Sequence, residues 1–325
     1  MTLTILGVDI GKSEFHCALL SEDERLHRNS FPNSFAGFER LSTWLKNRKV
    51  DRVHACVEAS GGFNDELAYY LVEAKHVVSV VNASAIKAFG ESRLSRTKTD
   101  RADAELIARF CRAMQPEAWR PPTPSQRRLQ QLVRRRVSLV EMLTQEENRL
   151  EAPGGENVRD SLKRTITFLK LQIKQIEDEI DSHTKGDPTL RDQRALLESI
   201  PGVGPRVSTT LLGEIPNLSE FKSRKAVAAY AGLCPRERRS GTSVSTSCLS
   251  RLGNRAIRRV LYMPAIVSER HNPAFARWAE QLRLRGRRGK QVIAALMRRL
   301  LVLAYGVLKS GKPFDPSRLD AGYGI

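Results

Sequence analysis

Apolar positions follow two rhythms along the first 118 residues. Thr4-Ile5-Leu6-Gly7-Val8-Asp9 and Phe15-His16-Cys17-Ala18-Leu19-Leu20 are short, largely apolar runs on either side of Gly11-Lys12, the pattern of two paired strands and a turn. Phe38, Leu41 and Leu45 recur at helical spacing, and Val53-His54-Ala55-Cys56-Val57-Glu58 reads as a buried strand. Leu67, Tyr70 and Leu71 mark a further helix, and Val77 to Val81 a further strand. From Asp100 to Met114, residues Ala104, Ile107, Ala108 and Cys111 share one helical face. An early hairpin followed by alternating helices and strands predicts a mixed sheet flanked by helices.

The rhythm changes after Pro121-Pro122-Thr123-Pro124, which marks a domain boundary. Leu129, Leu132, Leu139, Leu143 and Leu150 fall on a three-four repeat, with Arg136 and Glu146 between them. Beyond Pro153-Gly154-Gly155, the residues Leu162, Ile166, Leu169, Ile173, Ile176 and Ile180 repeat it. Such seams join protomers as a coiled coil, or fold on each other as a hairpin within one chain. Next comes Ser199-Ile200-Pro201-Gly202-Val203-Gly204-Pro205-Arg206, leading into an apolar helix. This is the pattern of a helix-hairpin-helix element, in which Gly202 and Gly204 let backbone N–H groups approach a phosphate and Arg206 adds charge. A plain tight turn between packed helices has the same spacing.

Charge alters this picture more than composition does. The 325 residues are 41% hydrophobic and 28% charged, which excludes wholesale disorder. Residues 1–118 carry 16 Lys/Arg and 16 Asp/Glu, whereas residues 196–325 carry 23 against 8, most of the net +18. A basic excess confined to one end predicts a nucleic-acid partner. Arg236, Arg238, Arg239, Arg255, Arg258 and Arg259, with Arg206, are the candidate contacts. The five cysteines form no Cys-x-x-Cys pair, so neither a disulfide framework nor a zinc site is expected. No basic stretch precedes the first apolar run, and runs such as Leu300 to Tyr305 are short of a membrane span. A cytoplasmic, nucleoid-associated protein with no membrane partner is the expectation.

Four acids suggest chemistry. Asp9 and Glu58 close strands, where open sheets present ligands. Asp100 and Asp103, three apart at a helix start, face the same way. Gathered together they would repel one another unless hard divalent cations lay between them, and a pair of magnesium ions can clamp both oxygens of a phosphodiester displacement. Each acid alone reads as ordinary surface or a helix cap. Ser240, Ser243, Ser245, Ser247 and Ser250 follow the arginine cluster. They form either a nucleophile loop or a backbone-binding loop, and composition does not choose among them.

Five segments, in this order, resemble the DEDD transposases of the IS110 family, bridge-RNA-guided recombinases related to the Piv-type DNA invertases. They are Gly7-Val8-Asp9-Ile10-Gly11-Lys12, Val57-Glu58-Ala59-Ser60-Gly61, Lys98-Thr99-Asp100-Arg101-Ala102-Asp103-Ala104, Ser199-Ile200-Pro201-Gly202-Val203-Gly204, and Ser240-Gly241-Thr242-Ser243 with Gly253-Asn254-Arg255. The resemblance implies a RuvC-like (RNase H-like) catalytic domain over 1–118 with the tetrad Asp9, Glu58, Asp100 and Asp103. It implies a coiled-coil linker region over 119–190, and a mainly helical C-terminal transposase domain over 191–325. It makes Ser240 the nucleophile and magnesium the cofactor. Donor and target DNA and a structured non-coding guide RNA are the implied partners, and the protomers assemble as dimers into tetramers. The stretch Ser245 to Leu252 is less typical of the family. A water-using RuvC-like nuclease or junction resolvase is the alternative. A sugar-kinase-like ATPase would need a second copy of the Gly7–Gly11 loop, which the chain lacks.

Overall fold

A computed structural model of the chain describes residues 4–59, 62, 64–92, 100–153, 155–238, 246–250 and 252–316. It divides into two compact units, Met1–Pro121 and Pro122–Ile325.

The first unit is a five-stranded sheet covered by helices on both faces. Its strands are β1 (Thr4–Ile10), β2 (Glu14–Leu20), β3 (Leu26–Pro32), β4 (Val53–Glu58) and β5 (Val77–Val81), in the order β3-β2-β1-β4-β5. The β1–β2 and β2–β3 pairs are antiparallel, while β4 runs parallel to both β1 and β5. The sheet is therefore mixed, as the alternation of signals suggested. Helices α1 (Phe35–Lys46) and α2 (Asp65–Glu73) close one face, with Phe38, Leu41, Leu45, Leu67 and Leu71 packed on Leu6, Val8, Val53 and Val57. Helices α3 (Ala83–Ser92) and α4 (Asp100–Met114) cover the other, where Ile86, Ala104, Ile107, Ala108 and Cys111 pack on Ile5, Ala18, Leu20 and Cys56. Because side chains alternate along a strand, the odd positions of β1 and the even positions of β4 face α4.

β3 and α3 have no counterpart in the hydrophobic pattern. β3 reads Leu-His-Arg-Asn-Ser-Phe-Pro with its middle exposed, because it is an edge strand held mainly by its ladder to β2.

Among its described residues the second unit is helical apart from one small hairpin. Thr123 opens α5 (Pro124–Glu151) with a capping box: its hydroxyl accepts from Gln126 N at 3.2 Å, and Gln126 Oε1 accepts from Thr123 N at 3.0 Å. Pro124 sits at the first turn, where its missing N–H costs nothing. α6 (Glu156–Gly186) folds back antiparallel on α5 through Leu139, Leu169 and Ile173, so the two heptad seams meet within one chain. Ion pairs Arg128–Glu179 and Lys170–Glu147 flank the seam. α7 (Pro188–Glu198) and α8 (Pro205–Glu214) follow, then a 3-10 turn, then α9 (Arg224–Tyr230). Strands β6 (Pro235–Arg238) and β7 (Thr246–Leu249) pair antiparallel. Three helices end the unit: α10 (Arg255–His271), α11 (Pro273–Leu284) and α12 (Gly289–Ser310).

α12 is long and apolar enough to cross a membrane by length and composition, but half of that window is buried among its neighbours. Leu296, Leu300, Leu301 and Ala304 join Leu129, Leu211, Val227 and Leu261 in the main core. It is the central helix of this unit.

Candidate nucleic-acid-processing site

Gly7 is the reason the acids can meet. A Cβ built there would fall 2.3 Å from the Ala104 carbonyl oxygen and 2.4 Å from the Ala108 nitrogen. Only a residue without a side chain lets the backbone of α4 lie directly on β1. Asp9 is two residues further along β1, on that same face. Asp9 and Glu58 stand one step beyond Val8 and Val57, the last pair of the parallel ladder. Asp103 is half-buried, one turn before the buried Ile107 and Cys111 on the same face of α4. Below the acids, the Cys56 and Cys111 thiols hydrogen-bond across the β4–α4 contact.

Glu58 lies within electrostatic reach of two of the other acids. Glu58 is pushed above the usual carboxylate range, first by burial, then by the charges of Asp9 and Asp103. Such a set of hard oxygen donors suits a divalent cation. Among the described residues no three candidate ligands already stand at metal-binding positions. Asp100 opens α4 one turn before Asp103, and its side chain lies outside the described set. One neighbour escaped the sequence pattern. His16 on β2 stands opposite Asp9 in the antiparallel register, so its ring is on the acid face. A lone histidine in a strand gives no sequence signal, because only the register reveals its neighbour.

Comparisons with known proteins give the family. A family model for DEDD transposases of the IS110 type, described as "Transposase", matches residues 6–153. A second, "Transposase IS116/IS110/IS902 family", matches residues 194–279. The pilin gene-inverting protein of Moraxella bovis is 33% identical over 97% of this chain and 98% of its own length. The chain belongs to the IS110 transposase family. The transposase for insertion sequence element IS1328 of Yersinia enterocolitica is 24% identical over 96% of the chain and 99% of its own length. The "Insertion element IS110 uncharacterized 43.6 kDa protein" of Streptomyces coelicolor is 30% identical over half of the chain. As an IS110 transposase the protein is a DNA recombinase.

The transposase's second unit places the sequence-predicted contacts unequally. Gly202 has φ +90, and a Cβ there would meet Ser268 Oγ at 2.6 Å, so the turn before α8 requires glycine. Gly204 precedes α8 in extended conformation with open space around it. Arg206 pairs with Glu177 and Arg259 with Glu141, each at 2.6 Å. Both pairs are largely solvent-exposed, hence weak, and can be exchanged for phosphate contacts. Arg255 starts α10 and is exposed.

Arg258 does something else. Its Nη1 donates to the carbonyl oxygens of Ala231 and Gly253, both at 3.0 Å, and to Asn254 at 3.4 Å. It ties the end of α9 to the start of α10, the two segments from which the β6–β7 hairpin emerges. The same junction is held by Asn254, which caps α10 through Ala256 N at 2.8 Å and donates to Glu214 Oε2 at 2.7 Å. Tyr230 donates to the Glu214 carbonyl oxygen at 2.9 Å, and Arg134 approaches Glu214 Oε1 at 3.3 Å. Glu214, Tyr230 and Arg134 were invisible to spacing arguments because they are far apart in sequence. Arg236 and Arg238 lie on β6, with side chains outside the described set. Arg239 and Ser240 lie outside the described residues.

Proposed function

We propose that this recombinase exchanges donor and target DNA strands through a covalent phosphoserine link, with magnesium at the acidic site. The observation that carries the acidic half is that the ends of β1 and β4, with Asp9 and Glu58, lie beside the helix that carries Asp103, where the Glu58 carboxyl is raised by burial and then by the charges of the other two. Asp9, Glu58, Asp100 and Asp103 would hold the ions of a RuvC-like site. Bound there, magnesium supplies positive charge to the non-bridging oxygens of the scissile phosphate. The Ser240 oxygen attacks that phosphorus and loses its proton. The P–O bond to the 3′ side breaks, and the proton balance closes as a free 3′-hydroxyl forms. The serine then carries the DNA 5′ end. Attack by another strand's 3′-hydroxyl forms the new phosphodiester and returns the serine, so the phosphate bond is conserved and no ATP is consumed.

The serine's identity and a structured guide RNA come from the family resemblance of the motif segments. The helix-hairpin-helix reading of Pro201 to Arg206 is supported by the glycine-dependent turn before α8. Assembly into dimers and tetramers is supported by Met142, Val158, Phe168 and Leu171, which are exposed on the α5–α6 hairpin although they are large and apolar.

A trapping assay tests the scheme. Protein, magnesium and the RNA encoded beside its gene are mixed with labelled donor and target DNA and resolved on a denaturing gel. The expected result is a protein-linked DNA band that is absent in Ser240→Ala and in Asp9→Ala. Cleaved DNA without an adduct, unchanged in Ser240→Ala, would instead make the protein a water-using nuclease.

A further inference from the structure

The most one-sided stretch of the chain is not among the segments that carry the family resemblance. Residues 281–314 contain no Asp or Glu, yet they hold Arg283, Arg285, Arg287, Arg288, Lys290, Arg298, Arg299, Lys309 and Lys312. Five of these cations fall between the last turn of α11 and the first of α12, where residues 283–291 are all exposed. Arg283 is paired with Glu269. Arg285, Arg287, Arg288 and Lys290 have no carboxylate within ion-pair reach among the described residues. Arg206 and Arg259, by contrast, are already engaged with Glu177 and Glu141.

The turn is also built to a fixed shape. Gly286 adopts φ +77, its N–H donates to the Arg283 carbonyl oxygen at 2.8 Å, and the Arg287 N–H donates to that of Leu282 at 3.0 Å. These two bonds are those of a Schellman ending. The next helix begins at once, with Arg288 N donating to Gln291 Oε1 at 3.0 Å. The cations are thus carried on a short, hydrogen-bonded corner between two helices, not on a loose tail. Beside them Leu284 is 82% exposed. A solubilising surface has no use for an apolar side chain at its most charged point. An interface does, because Leu284 can cover the apolar edge of deoxyribose while its neighbours reach phosphates.

We infer that the α11–α12 corner, Arg285, Arg287, Arg288 and Lys290 around Leu284, is a docking surface for the backbone of double-stranded DNA. This rests on the reading of the protein as a recombinase that acts on DNA, and it adds a contact that the four acids and the arginines at 236–259 do not provide. Guanidinium groups without a carboxylate partner release condensed counterions from DNA when they bind, with no ion pair of their own to break. The contact carries no base readout, so it should hold any duplex.

The test uses the full chain and a fluorescent duplex DNA of arbitrary sequence, titrated over a series of potassium chloride concentrations. The triple variant Arg285→Gln, Arg287→Gln, Arg288→Gln should bind at least tenfold more weakly, at an unchanged melting temperature. The slope of log K against log salt should fall by about 2 to 3, at roughly 0.9 per lost phosphate contact. The corresponding triple lysine variant should keep the slope, and Leu284→Ala should weaken binding while leaving the slope intact. Unchanged affinity and slope in the glutamine variant would overturn the surface, even if the wild type binds and recombines DNA. A loss seen with a structured RNA probe but not with DNA would overturn it as well. A wild type that neither binds nor exchanges DNA would instead overturn the DNA-acting reading beneath it.

Discussion

Gly7 and Ala104 touch backbone to backbone: the Cβ that Gly7 lacks would sit 2.3 Å from the Ala104 carbonyl oxygen. The contact fixes the height of α4 above β1, and with it the separation of Asp103 from Asp9 and Glu58. Gly7→Ala must therefore lift the helix, since neither clashing atom belongs to a side chain that could turn away. The expected cost is about 1–3 kcal/mol of stability, the usual range for overpacking, together with loss of strand exchange. Thermal melting and a recombination assay on the same preparation check both. Full activity in Gly7→Ala would mean that the acids do not depend on this close approach.

The pH behaviour of the acid cluster follows from Glu58. Its carboxyl is raised in the folded protein, by burial and by Asp9 and Asp103. The folded state thus holds that proton more tightly than the unfolded chain does, and ionisation weakens the fold. The penalty is absent below the unfolded carboxylate range, near pH ~4.3, and complete once pH has passed the raised folded value. Glu58→Gln in metal-free buffer should accordingly raise the melting temperature at pH 7, with the gain shrinking as pH falls towards 4. Added magnesium should stabilise the wild type more than the variant. A lower melting temperature for Glu58→Gln at pH 7 without metal would show that the cluster is not repulsive.

Arg136 illustrates a different use of charge. It occupies a seam position on α5, is only 4% exposed, and makes no ion pair among the described residues, although the charge of Glu177 acts on it. Its Nη2 donates to Thr210 Oγ1 at 2.7 Å and the Arg206 carbonyl oxygen at 3.3 Å, fastening α5 to α8. Burial brings its pKa down to about 10. Its Nη1 also donates to Thr209 Oγ1 at 3.4 Å, and Thr209 and Thr210 each donate to a carbonyl oxygen one turn back along α8, so an apolar replacement strands few groups. Arg136→Met should stay within about 1.5 kcal/mol of wild type, while Arg136→Ala should cost about 2–5 kcal/mol for the void it leaves. Urea unfolding of the two variants compares them directly, and equal losses would mean that the hydrogen bonds outweigh the packing.

What could be read from the sequence depended on how local each signal was. The strand carrying Asp9, the strand carrying Glu58 and the helix from Asp100 announce themselves within six to fifteen residues, so the elements that carry the four acids were legible. Edge strand β3 was not, because an exposed ladder needs no apolar alternation. The seams of α5 and α6 were legible as seams, but a heptad says nothing about which helix fills it; within the chain they fill each other. His16 and Glu214 were hidden for the same reason. Their partners, Asp9 across a ladder and Asn254 forty residues later, are set by register and packing.

Arg258 is held by backbone carbonyl oxygens, whereas Arg255 is exposed. Sequence composition grouped it with Arg255 and Arg259 as a nucleic-acid contact, yet its guanidinium spans three carbonyl oxygens at the base of the β6–β7 hairpin. Gly232 and Gly253 meet there so closely that a Cβ on Gly253 would lie 2.3 Å from Gly232 N. Removing the guanidinium leaves the carbonyl oxygen of buried Ala231 without this donor, at about 1–3 kcal/mol for an unsatisfied buried group, while the exposed Gly253 oxygen turns to water. Lysine cannot replace it, because its ammonium sits one bond nearer its own backbone than Nη1 and so does not reach the same three oxygens. Arg258→Lys should therefore melt earlier and lose strand exchange, while its affinity for duplex DNA and its salt slope stay at wild-type values. Arg255→Gln, on the exposed start of α10, should do the reverse, lowering the slope by about one with little change in melting. If Arg258→Lys instead lowered the slope and left the melting temperature alone, Arg258 would be a phosphate contact and the hairpin would be anchored by Asn254 and Glu214 without it.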